Sequence, residues 1–289
     1  MRVASAAYPL DPLRSWEEYE AKLSAWVADA EADLLVFPEY GAMELAYIAG
    51  PEVAGDLALS RAAVAERLPE VDALHQRLAR AHGCHILAAS APVHQGGWVN
   101  RARLFAPNGS VGVQDKQIMT HYERAVWGME PGGPLSVIDT ALGKLGILIC
   151  YDCEFPLLAR ALVEAGAELL LVPSCTDTGH GFHRVEVGAR ARALENQCVT
   201  VVSATVGSAA WCPAVDENVG QGAVFGPPDL GFPEDGVLAR GPRDTLGWVR
   251  ADVDLSAIAR VRSEGHVRNH AHWPEQMGRL EATQISLRD

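Results

Sequence analysis

Gly146-Ile147-Leu148-Ile149-Cys150-Tyr151-Asp152-Cys153-Glu154-Phe155-Pro156 decides how the rest of the chain reads. An apolar run of strand length ends in a cysteine, and a proline suited to the first turn of a helix follows shortly after. A strand that runs directly into a helix is the building unit of an α/β protein. Working outward, short apolar runs keep alternating with longer amphipathic segments. Strands are predicted over Val3–Tyr8, Asp33–Phe37, His85–Ala91, Glu168–Val172, Val199–Thr205, Gly222–Phe225 and Trp248–Asp254. Helices are predicted over Ser15–Glu31, Arg61–His82, Pro156–Ala165, Phe182–Asn196 and Ser256–Arg262. Val99–Phe105 and Val111–Lys116 read as a hairpin closed at Asn108-Gly109, and Leu135–Asp139 with Leu145–Cys150 as a pair around Gly143. The reading is one domain over residues 1–289, with a polar, histidine-containing tail from about 263 crossing the surface as an extended segment.

Bulk composition narrows the function. A 48% apolar content is ample for a sizeable core. A formal net charge of −13 argues against nucleic acid and against an anionic membrane surface, since both are polyanions. No run of eighteen apolar residues occurs, and Met1–Ala6 lacks the apolar stretch and cleavage site of a signal peptide, reading instead as the start of a strand. Six cysteines at 84, 150, 153, 175, 198 and 212 are scattered through a chain too large to need disulfide staples; the expectation is reduced thiols in a cytoplasmic protein.

Three segments carry chemistry. Cys150 ends a strand ahead of a helix N-terminus, where the helix dipole favours a thiolate and where α/β proteins place ligands. A buried cysteine is also often just a small apolar residue. Paired with Cys153 it could be a redox couple or half a zinc site, with Cys175, His180 and His183 the only nearby further ligands. Glu39, in Val36-Phe37-Pro38-Glu39-Tyr40, follows a strand directly; partly desolvated there, a carboxylate can shuttle protons near neutral pH. Lys116 ends a strand and is followed by Met119-Thr120-His121-Tyr122-Glu123. A strand-end lysine becomes interesting when it faces a carboxylate and a thiol.

In that order, these segments resemble the nitrilase superfamily of carbon–nitrogen hydrolases, which use a Glu-Lys-Cys triad. The likeness extends over nearly the whole chain and includes Ala189-Arg190-Ala191-Arg192-Ala193-Leu194-Glu195-Asn196, which is similar to the family's Ala-Arg-Ala-x-Glu-Asn helix. His121-Tyr122-Glu123-Arg124 with Trp127-Gly128, together with Cys175-Thr176-Asp177 and Val253-Asp254-Leu255, resembles a branch whose amidase domain is often fused to an acetyltransferase. The resemblance implies a four-layer αββα sandwich, paired as a homodimer or higher homo-oligomer across helices flanking the elbow, and no cofactor or metal.

It also implies catalytic roles for Glu39, Lys116, Cys150 and Glu123. Cys150 would attack an amide carbon, Glu39 would move the protons, and Lys116 with the Tyr151 N–H would hold the oxyanion. Glu123 would orient Lys116 and the substrate nitrogen. These groups should titrate as a coupled set. Tyr40, Tyr151, Glu154, Cys175 and Thr176 are the candidate substrate contacts, with Asp177 and His183 as further residues near the pocket. Many relatives carry arginine where this chain has Glu154. That departure points to a neutral or amine-bearing substrate, or to Glu154 acting only as a cap for the next helix. The expected reaction is hydrolysis of a small non-peptide amide through a cysteine thioester; a nitrile or N-carbamoyl substrate on the same triad, and thiol oxidoreduction by Cys150 and Cys153, are the alternatives.

Overall fold

The computed structural model describes residues 1–288; Asp289, the last residue of the expected domain, lies outside the described residues. In chain order the elements are β1 (Arg2–Pro9), α1 (Trp16–Ala30), β2 (Leu34–Val36), α2 (Pro51–Ala54), α3 (Leu57–His82), β3 (His85–His94), β4 (Trp98–Phe105), β5 (Val111–Asp115), α4 (His121–Ala125), β6 (Val137–Thr140) and β7 (Gly143–Ile147). Then follow α5 (Pro156–Glu164), β8 (Leu169–Ser174), α6 (Gly179–Asn196), β9 (Val199–Ser208), β10 (Glu217–Asn218), β11 (Ala223–Phe225), β12 (Val237–Arg240), β13 (Gly247–Asp252), α7 (Leu255–Glu264) and α8 (Asn269–His272).

The strands form a path β5-β4-β3-β2-β1-β9-β8-β7-β6. From β3 through β1 and β9 to β7 every neighbour is parallel, while β4, β5 and β6 add antiparallel at the ends. Side chains alternate across a strand, so each strand feeds two cores. Ala4, Ala6, Tyr8, Leu35 and Ile86 pack under α1 and α3, whereas Val3, Leu34, Val36 and Leu87 turn inward to a cluster shared with Leu145, Ile147 and the buried faces of α5 and α6. The path folds back on itself: a Cβ on Gly112 of β5 would lie 2.8 Å from Ile138 of β6. Helix, sheet, sheet, helix is the resulting order, the four-layer αββα sandwich expected from the resemblance.

Local chemistry moves several boundaries. Asp56 accepts from the N–H groups of Ala58 and Leu59, both at 2.8 Å, so α3 starts a turn before Arg61. Thr178 caps α6 in the same way, starting it at Gly179 rather than Phe182. The tail is not simply extended. Gln197 donates to the carbonyls of Val261 and Val267 and accepts from His270 N, drawing α7 and α8 onto the end of α6; Trp273 then lies 4.9 Å from the Arg160 guanidinium and opens a 3-10 turn to Arg279. No helix among the described residues is long and apolar enough to cross a membrane.

Candidate active site

Parallel strands explain why distant segments meet: their C-terminal ends lie on one edge of the sheet, where the chain leaves the ladder with side chains free to point over the rim. Glu39 follows β2, Cys150 follows β7 and Cys175 follows β8. Lys116 leaves the end of β5, held by its N–H to the Asn100 carbonyl (2.9 Å).

The cysteine turn is tighter than the sequence suggested. β7 ends at Ile147 rather than Cys150, and Cys150 takes the left-handed region (φ 49°) as the first residue of a 3-10 turn. A non-glycine residue there is strained, and such strain gathers at functional sites. Asp152 fixes the turn: its buried carboxylate accepts from Ile118 N (2.8 Å) and Gln117 N (3.1 Å), tying the cysteine loop to the residues after Lys116. Burial pushes the Asp152 carboxyl up to about 6 against those hydrogen bonds. On the glutamate side, Tyr40 also adopts positive φ (53°) and donates its N–H to Ser90 Oγ at 3.0 Å.

Lys116 is the hub. Its Nζ lies 2.7 Å from Glu39 Oε1 and 2.7 Å from Glu123 Oε2, with all three side chains buried. Glu123 is oriented by a capping box: Thr120 caps α4, and Glu123 accepts from Thr120 N (2.8 Å), Thr120 Oγ1 (2.9 Å) and Tyr40 OH (2.8 Å). Glu39 accepts from Asn100 Nδ2 (2.9 Å) on Oε1 and from Cys175 N (3.0 Å) on Oε2.

The environments drive the two carboxylates apart. Burial, aided by Glu123 and opposed by Lys116, lifts Glu39 to about 7. Burial also lifts Glu123, but Lys116 and its hydrogen bonds outweigh it and leave that carboxyl below its ordinary value. Lys116 is held well above the usual ammonium range, because the two glutamates outweigh its burial. Two carboxylates separated in this way supply a fixed anion and a titrating base.

Cys150 corrects one expectation. Burial and the facing Glu39 push its thiol well up, so the resting group is a thiol and not a dipole-stabilised thiolate. The thiol lies 3.7 Å from the carbonyl of Cys175, the residue whose N–H binds Glu39 Oε2.

A cavity of about 530 Å³ opens over this centre. Glu39, Lys116, Glu123 and Cys150 line it, as do all five candidate substrate contacts: Tyr40, Tyr151, Glu154, Cys175 and Thr176. Asp177 is on its wall; His183 is not, facing outward beside Glu186. Trp127, Tyr122, Arg184, Asp216 and Glu217 were not singled out as pocket residues from sequence. Glu154 pairs with Arg184 at 3.5 Å and does not cap α5, whose cap position is Phe155 with no side-chain bond. Cys153 is fully buried outside the cavity lining with its thiol toward the Val185 carbonyl (3.7 Å), and it forms no disulfide with Cys150. All six cysteines are free, and among the described residues no three His, Cys, Asp or Glu side chains cluster as metal ligands.

Asn100 is the functional neighbour that sequence reading missed. Its signal was nonetheless visible: it shares the inward phase of β4 with Ala102 and Leu104, a lone amide among apolar residues.

A buried lysine bridging two carboxylates beside a thiol, at the rim of an αββα sandwich, brings together the groups that thiol attack assisted by a general base requires. The carbon-nitrogen hydrolase profile matches residues 2–263, and the chain belongs to that family. It is 34% identical to the probable hydrolase YhcX of Bacillus subtilis over 272 residues, covering 93% of this chain and 52% of that protein, so it spans about half the length of that relative. With omega-amidase NIT2-B of Xenopus laevis it shares 31% identity over 71% of this chain and 74% of that one. An amidase from Nesterenkonia sp. superposes with a TM-score of 0.66 at 25% identity, covering 94% and 96% of the two chains. Nit3 of Saccharomyces cerevisiae, a member of branch 10 of the nitrilase superfamily, superposes at 0.70 with 18% identity over 91% and 93%, a likeness of fold.

Proposed function

We propose that the chain is an amidase that hydrolyses a small non-peptide amide to a carboxylate and ammonia or an amine, through a thioester on Cys150. The observation that carries the reading is the Lys116 ammonium held 2.7 Å from both Glu39 and Glu123 on the floor of the cavity that Cys150 lines. The amidases among the relatives support it.

Glu39 takes the thiol proton as Sγ bonds to the amide carbon. Lys116 Nζ contacts Glu39 Oε1 and both oxygens of Glu123; one N–H shared between the two Glu123 oxygens leaves the third for the oxyanion, together with the Tyr151 N–H. A fixed cation at developing charge is worth on the order of 3 kcal/mol. Glu39 then protonates the leaving nitrogen as the C–N bond breaks. Water enters, gives its proton to Glu39 and adds to the thioester carbon. When the C–S bond breaks, the proton returns to sulfur.

A volume of about 530 Å³ suits a small molecule. Its mouth carries Asp177, Asp216 and Glu217, while the cation Arg184 is paired with Glu154, which favours a neutral or amine-bearing substrate over an anionic one. Leu157 on α5 and Val187 on α6 stand largely exposed beside the cysteine turn, supporting a homodimer across that face. Six unpaired thiols fit a reducing compartment such as the cytoplasm.

The test is ammonia release from a panel of small amides, N-carbamoyl compounds and nitriles, with Cys150→Ala as blank and intact-mass detection of an acyl adduct on Cys150. Turnover of amides with an adduct that vanishes in Cys150→Ala is expected. Turnover of nitriles alone would move the reading to a nitrilase, and Cys150-independent turnover would end it.

A further inference from the structure

We infer that Asn100 is a positioning residue for proton transfer: it pins one oxygen of Glu39 so that the other, Oε2, is the atom that takes and returns the Cys150 proton. A carboxylate offers about four lone-pair sites, two on each oxygen. On Glu39, Oε1 receives both the Lys116 ammonium (2.7 Å) and the Asn100 amide (2.9 Å), which fills it. Oε2 receives only the Cys175 N–H (3.0 Å), so one lone pair remains, and the Cys150 thiol, 3.7 Å from the carbonyl of that same Cys175, is the neighbouring acid.

The amide is held in register by the hairpin. Arg101 of β4 pairs with Asp115 of β5, which places Asn100 opposite Lys116, and the Asn100 carbonyl accepts the Lys116 N–H at 2.9 Å. One residue thus sets the Glu39 carboxylate through its side chain and the Lys116 backbone through its main chain. The orientation of the amide is forced, because the opposite flip would set its oxygen against a carboxylate. Asn100 is fully buried and is not part of the cavity wall, so it does not touch substrate. The charged and titratable groups around Glu39 are Tyr40 beside it, Lys116 just after β5, Glu123 from α4, Cys150 after β7, and Cys175 after β8.

Asn100→Asp keeps the shape and replaces the donor by a second acid, whereas Asn100→Ala removes the donor alone. The first readout is alkylation of Cys150 by iodoacetamide against pH, followed by intact mass. It needs no amide turnover and so stands apart from the amidase reading, on which only the kinetic arm rests. In Asn100→Asp the acid limb of the alkylation profile moves up by about one pH unit or more, and in Asn100→Ala by less, since each change disfavours the ionised base. In turnover, kcat falls about tenfold to a hundredfold with KM unchanged, the loss expected for a charge-assisted hydrogen bond. Should either variant not fold, the other carries both readouts. An unmoved acid limb, or a loss confined to KM, overturns the assignment and leaves Asn100 as packing.

Discussion

Replacing Glu39 by glutamine separates two ideas that usually travel together, that the residue is needed for turnover and that it holds the fold. Glu39 is buried beside a lysine, and a surface view of ion pairs would count it as stabilising. Its carboxyl instead sits at about 7 against an ordinary 4.5, because burial outweighs the attraction of Lys116. A carboxyl whose pKa is raised on folding binds its proton more tightly in the native state. Its contribution to stability is therefore complete below about 4.5 and is lost as pH climbs through about 7. That interval, at about 1.4 kcal/mol per pH unit, is worth about 3 kcal/mol. In Glu39→Gln the mispairing of the new amide with the Cys175 N–H costs the same at every pH, and because Glu39 and Glu123 titrate together the direction of the difference curve is the decisive reading.

The assay is urea unfolding of both proteins from pH 4.5 to 8.5, with the difference in unfolding free energy plotted against pH. Relative to Glu39→Gln, the wild-type protein should lose about 3 kcal/mol between pH 4.5 and 7.5 and then level off. Over the same range wild-type turnover should rise with pH as Glu39 ionises, while the variant stays inactive throughout. A flat difference curve, or one in which the wild type gains stability as pH rises, would refute the reasoning. The second outcome is the signature of a carboxylate stabilised by its salt bridge, with Lys116 winning over burial.

Cys153→Ser should keep turnover within about twofold, since serine can donate to the same Val185 carbonyl and the position is closed to the cavity; abolished turnover with an unchanged melting temperature would return Cys153 to a redox role. Thr120→Ala removes the hydroxyl half of the capping box and should cost about 1 kcal/mol in thermal unfolding, with a several-fold fall in kcat as Glu123 loosens; an unaltered kcat would mean that Tyr40 and Lys116 suffice to hold it. Glu154→Gln frees Arg184 at a partly exposed rim, so the kcat/KM ratio for amine-bearing over carboxylate-bearing amides should drop about two- to fivefold, the scale of an exposed pair; an unchanged ratio removes Glu154 from substrate selection.

Strand ends were readable because apolar runs stop where charged residues begin, and Glu39, Lys116 and Cys150 each sit on such a stop. Sequence could not say that these stops face one another; that follows from β2, β7 and β8 running parallel, a property of pairing partners far apart in the chain. The Thr120-x-x-Glu123 spacing already spelled a capping box, yet nothing local says that the capping glutamate also faces Lys116. The mouth was harder still. Asp216 and Glu217 reach it because the segment after β9 is fastened by Tyr122 OH to the Pro213 carbonyl at 2.9 Å, between residues 91 apart. The tail was misread as extended because its polar composition hides the contact that organises it, a single glutamine at position 197 binding two carbonyls of the following helix and loop.

One lysine between two glutamates would by itself leave the carboxylates interchangeable. The difference here lies in how many acceptor sites each has left. Glu123 takes hydrogen bonds from Tyr40, Lys116 and both donors of Thr120, so it is saturated and stays an anion. Glu39 shares the same ammonium but keeps one lone pair on Oε2 and is the more deeply buried of the two. Saturation fixes a charge, while a vacancy beside a thiol lets a proton come and go. In the proposed reaction the ammonium therefore need not choose between roles: it is neutralised by Glu123, whose carboxyl is held below its ordinary value, and it steadies Glu39 at both ends of each proton transfer.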